Sequence, residues 1–102
     1  MDNQEWDKLL EFFDYDAQIY WPNTNERFSV EKFVEINRNY PGDWRVNIKK
    51  ILNSYNTVIS VVGLTDGQKS LHAISFFYFV EGFVASLEEY WSEDGSPPDF
   101  RT

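Results

Sequence analysis

On the strand expected at FVASLEEYW, positions 83–91, alternation puts Phe83, Ala85, Leu87, Glu89 and Trp91 on one face and Val84, Ser86, Glu88 and Tyr90 on the other. The first set is apolar except for Glu89. A carboxyl held between Leu87 and Trp91 is desolvated, which raises its pKa and suits it to move a proton. Glu89 is therefore the first candidate for acid–base catalysis. An ion pair at the rim, or a bulge turning the side chain to solvent, would instead give it a structural part. His72, the only histidine, is the second candidate base. It shares a face with Ile74, Phe76 and Tyr78, while Leu71, Ala73, Ser75, Phe77 and Phe79 share the opposite one. The second set suits a helix-covered core, so His72 is expected on the outer face, where surface and interface histidines also sit.

A second kind of chemistry is stacking. Trp21, Tyr40, Trp44 and Trp91 fall at the ends of expected elements, where rings pack on a flat or apolar ligand and indole N–H or phenol O–H groups orient it. Plain packing between helix and sheet is the competing reading. The pocket drawn from these faces is lined by Trp21, Phe33, Tyr40, Trp44, Ser75, Phe77 and Trp91. Tyr40, Ser75 and the indoles are its possible donors.

Other chemistries lack their residues. One histidine and no cysteine give neither a disulfide framework nor a transition-metal site, and calcium-loop spacing is missing, so no metal is expected. No glycine-rich phosphate loop or nucleophile triad is present, and no cofactor is expected. A net charge of −8 argues against nucleic acid and against anionic membrane surfaces. No apolar run has the length of a membrane span and no signal peptide is recognisable, so a cytoplasmic location is expected.

The elements that must position these residues follow from periodicity. At 102 residues, 42% hydrophobic and 19% aromatic, the chain suits one domain over 1–102. Trp6, Leu9, Leu10 and Phe13 form the stripe of a first helix, and residues 17–21 a short strand ending at a Pro22–Asn25 turn. Ser29 caps a second helix with Val30, Phe33, Ile36 and Tyr40 as its stripe, stopped by Pro41-Gly42. From Trp44 the period becomes two, giving four antiparallel strands with turns at 53–56, Asp66-Gly67 and Glu81-Gly82. Residues 92–102 form an irregular tail, with Phe100 placed to pin it to the domain. Helices first and hairpin-linked strands after make an α+β domain, a curved antiparallel sheet covered by N-terminal helices.

That order, with WPNTNERFSVEKFVEINRNYPGDWR, FFYFVEGFVASLEEYW and the closing Glu89-Tyr90-Trp91, resembles the nuclear transport factor 2-like superfamily, in its SnoaL-like and ketosteroid-isomerase-like bacterial branch. The resemblance implies a cone-shaped domain, a pocket for a small, often hydrophobic molecule, frequent dimerisation through the sheet, and an acidic residue in this part of the last strand. The usual long first helix is missing from the pattern. Three functions are open: binding of a small hydrophobic or aromatic molecule; an isomerase, cyclase or dehydratase reaction with Glu89 as proton shuttle; and a protein–protein module. The outer face, with Ile74, Phe76 and Tyr78, is expected to pair two copies as a homodimer.

Overall fold

Alternation after Trp44 is realised as four strands, β3 (Arg45–Ser54), β4 (Thr57–Thr65), β5 (Ser70–Val80) and β6 (Phe83–Glu93), in the computed structural model, which describes residues 10–101. The β5–β6 turn uses Glu81 and Gly82, both at positive φ (51° and 86°), the pairing a two-residue hairpin needs to match strand twist. At the β4–β5 turn Asp66 accepts backbone N–H bonds from Gln68 at 2.9 Å and Lys69 at 2.7 Å.

Upstream, β1 (Phe13–Trp21) and β2 (Glu26–Ser29) form a further hairpin and α1 (Val30–Arg38) follows. The sheet order is β2-β1-β6-β5-β4-β3. Every ladder is antiparallel except β1–β6, so the sheet is mixed. Between β1 and β6 lies most of the chain, the long connection that a parallel neighbour requires.

Several local expectations change. The stripe residues Trp6 and Leu9 of the first helix lie outside the described residues. Phe13, expected to close that helix, opens β1 instead, because its backbone pairs beside Val84 and its ring is buried against Phe33. β2 was not anticipated: Glu26-Arg27-Phe28-Ser29 carries one apolar residue, and the strand exists because Phe28 pairs opposite Ile19. In β6, Tyr78 pairs with Ser86 but Phe79 with Val84, leaving Ala85 as the extra residue of a bulge. The phase slips there, so Val84 turns inward at 2% exposure and Phe83 outward at 49%, the reverse of strict alternation. The irregular tail begins after Glu93, and Phe100 is exposed, so its ring pins nothing.

Ser29 caps α1 by accepting the Lys32 N–H at 3.2 Å, and Asn39 closes it with its N–H on the Glu35 carbonyl. The buried stripe is Val30, Phe33 and Val34, with Ile36 half-buried. Tyr40 lies past the helix end and is released from the stripe. Val30, Phe33 and Val34 pack with Phe13, Ala17, Ile19, Val84 and Leu87 in one core. The helix therefore covers the β1 end of the sheet, while every residue of the edge strand β3 is exposed.

Ile19 and Leu87 are the largest fully buried side chains and face each other across the parallel ladder. Ile19→Ala is expected to cost about 3 kcal/mol of stability by transfer and cavity terms. Urea denaturation would show it as a lowered midpoint at unchanged slope.

Candidate functional site

Residues paired across the ladders share a face, so the concave side can be followed in rows. Val46, Leu64, Leu71 and Glu93 form the row at the mouth. Ile48, Val62, Ala73 and Trp91 come next, then Ile51, Ser60, Ser75 and Glu89. The last row carries the buried polar pair, Ser75 and Glu89.

Glu89 is 8% exposed and Ser75 3%. The Ser75 hydroxyl donates to Glu89 Oε2 at 2.7 Å, and the Trp21 indole N–H donates to Oε1 at 3.1 Å. Burial pushes the Glu89 carboxyl above its ordinary value of 4.5, while the bonds from Ser75 and Trp21 pull it back part of the way. The result is a desolvated carboxyl clamped between β1 and β5, with a partner on each oxygen.

A cavity of ≈ 590 Å³ opens above it. Trp21 and Trp91 line it from the sheet, their rings edge to face at 6.0 Å. Tyr40 and Trp44 line it from the α1–β3 connection, also edge to face, at 5.9 Å. Trp44 is fixed by its indole N–H on the Pro41 carbonyl at 2.9 Å. Gly42 makes that approach possible: its φ is +109°, and a Cβ there would stand 2.8 Å from the indole nitrogen. Asn23 holds the β1–β2 turn against β6 by accepting the Trp91 backbone N–H at 2.8 Å.

Of the residues singled out from sequence, Trp21, Tyr40, Trp44 and Trp91 are thus brought together around one space. Phe33, Ser75 and Phe77 are not on its wall: Phe33 is in the core, Phe77 packs against the core, and Ser75 lies behind with Glu89. Glu89 is also off the wall, one row below Trp91 and two below the mouth, about 13 Å along the strand from Glu93. His72 faces away from both. Its ring bonds Asp94 on the convex side, in a shallow groove shared with Arg45 and Lys49.

Sequence reading missed the polar wall. Glu26, Asp43, Glu93 and Arg38 all line the cavity. Asp43, between the turn glycine and Trp44, was the one with a local signal; the others depend on how β2, α1 and β6 end. Among the described residues no three His, Cys, Asp or Glu side chains cluster tightly enough to hold a metal ion, and no helix is long and apolar enough to cross a membrane.

No family model and no curated protein matches the sequence. Solved structures do. A protein from Kribbella flavida, provisionally assigned as a ketosteroid isomerase, superposes with a TM-score of 0.84 at 27% identity, over 93% of this chain and 71% of its own. A nuclear transport factor 2-like protein of unknown function from Burkholderia xenovorans gives 0.84 at 20% identity, over 95% and 77%. A provisionally assigned SnoaL-like polyketide cyclase from Jannaschia gives 0.76 at 13%, over 89% and 74%.

The raised pKa of Glu89 fixes the sign of a pH effect. Folding favours the neutral acid, so its contribution is full below the unfolded pKa and is lost as pH rises through the folded one. Glu89→Gln keeps the shape and removes the titration. The stability difference between variant and native protein should therefore move in the variant's favour as pH rises above the ordinary carboxyl value of 4.5, measured by urea denaturation. A difference that stays flat as pH rises would mean that the carboxyl is not desolvated.

Proposed function

We propose, from the nuclear transport factor 2-like fold of this chain, that it is a small-molecule-binding domain whose ligand lies in the cavity between Trp21, Tyr40, Trp44 and Trp91. The cavity carries this reading. Its ≈ 590 Å³ falls within the range of about 300–1,000 Å³ common for small-molecule sites. Its wall combines rings with the aliphatic side chains Val46, Leu64 and Leu71. The ligand is thus a small molecule with an apolar or aromatic body.

Binding without chemistry is favoured over an isomerase or cyclase reaction by the position of Glu89. A proton shuttle must reach the proton it moves, directly or through one water. The Glu89 carboxyl has the desolvation for that task, but each oxygen already accepts a bond, and the side chain stands behind the cavity wall. In this reading Glu89 positions Trp21, and with it the floor under the ligand. His72, on the opposite face, takes no part. A cytoplasmic setting belongs to the same proposal, in keeping with a chain that has no cysteine.

The convex face supports a homodimer. Ile74 and Tyr78 are exposed there, Phe76 stacks on Tyr78 at 6.4 Å, and Tyr90 meets Phe76 edge to face at 6.1 Å. Such a contiguous apolar face is what a two-fold pairing of sheets buries. The protein–protein module then reduces to self-association, and the acidic concave side stays open to solvent.

Two experiments test these readings. Titration with a neutral flat aromatic such as 2-naphthol should shift the indole N–H resonances of Trp21, Trp44 and Trp91 saturably. Val46→Trp, an exposed position on the cavity wall, should weaken that binding roughly tenfold or more by filling the space. Sedimentation at micromolar concentration should return twice the chain mass, and Phe76→Glu should return the single-chain mass. Only the single-chain mass for the native protein would remove the dimer.

A further inference from the structure

The cavity wall has a polarity of its own. Three carboxylates, Glu26, Asp43 and Glu93, face one guanidinium, Arg38. Three indoles line the same space, yet none offers its N–H to a ligand. That of Trp21 is bonded to Glu89, that of Trp44 to the Pro41 carbonyl, and that of Trp91 is inaccessible to solvent, with no partner among the described residues. What these rings present is therefore π surface and carbon edge. With its indole donors turned inward, an aromatic wall below an excess of carboxylates is poor at receiving an anionic ligand. It is well made for a positive one, because the ring quadrupole and the carboxylates attract a cation together. The carboxylates are too dispersed to cluster on a metal ion, so the charge they favour is a diffuse one. The chain as a whole, at −8, attracts the same sign of ligand from a distance.

We propose that the cavity takes an organic cation, a protonated amine or quaternary ammonium group carried on an apolar or aromatic body, with Trp21, Tyr40, Trp44 and Trp91 as its aromatic cage. Glu26, Asp43 and Glu93 supply the charge selection at the mouth. The inference rests on the small-molecule reading above and adds the sign of the ligand to it.

The test compares three probes of one shape: benzyltrimethylammonium, its uncharged carbon isostere neopentylbenzene, and the anion phenylmethanesulfonate. Each is titrated into the native protein and followed by the indole N–H resonances. The cation should bind about tenfold more tightly than the uncharged isostere, and the sulfonate should bind more weakly than either. The double variant Asp43→Asn, Glu93→Gln should lose most of that preference while binding neopentylbenzene as the native protein does, which also reports that the cavity is intact. Glu31→Gln with Glu35→Gln, on exposed positions of α1 outside the wall, removes the same two negative charges and should leave the preference in place. Equal or tighter binding of the uncharged isostere would overturn the cation assignment and leave the cavity reading standing. Equal loss of preference in both double variants would overturn the role of the mouth carboxylates. Binding of none of the three would overturn the cation assignment and the cavity reading together.

Discussion

The burial of one carboxyl organises the concave side. Glu89 is drawn out of water by its place between Leu87 and Trp91 on β6, and an unpartnered polar group there would cost several kcal/mol, of the order of 1–3 for each bond left unmade. Ser75 from β5 and Trp21 from β1 meet that need, one on each oxygen. Because the partners come from strands on either side, the bonds tie three strands at one level of the sheet. They also fix the direction of the Trp21 indole N–H. Trp21 then contacts Phe28 and Phe33 on one side and Trp91 on the other, so the aromatic packing inherits its direction from the carboxyl.

The hydrophobic core lies to one side of this point. Ile19 and Leu87 meet across the parallel ladder, and α1 closes over them with Val30, Phe33 and Val34. Beyond β6 the helix has no reach, and the concave rows continue as Ile51, Ser60 and their neighbours toward β3. The cavity forms at the boundary between the two regimes, where the covered part of the sheet gives way to the uncovered part. The Pro41–Trp44 connection is its outer wall, and Gly42 is the residue that lets that wall stand so close.

Much of this was legible in the sequence, and the exceptions share a cause. Val46 and Ile48, set against Asn47 and Lys49, gave β3 by alternation, and Asp66-Gly67 and Glu81-Gly82 gave the hairpins. Alternation was also enough to put Glu89 on the face of Leu87 and Trp91. By contrast β2, the parallel partner of β6 and the bulge at Ala85 all depend on which strand lies alongside, and no local pattern carries that information. The same holds for the site. Four rings at element ends could be named from sequence, but the bond between Trp21 and Glu89 joins residues 68 positions apart. The carboxylates at the mouth belong to three separate stretches, β2, the α1–β3 connection and β6, which meet only in the folded chain.

The edge strand β3 has a kink of its own: its pairing with β4 slips between Ile48 and Lys50, with Lys49 left over. Lys49 lies against Gly63 on the neighbouring strand, and Lys50 follows it directly. An open strand is a template on which further chains can add in an endless ribbon, and paired ammonium groups beside a bend deny it the flat, uncharged rail such growth needs. That guard belongs to the β3 margin, the one edge strand long enough to template such a ribbon; β2, at the other margin, is only four residues long.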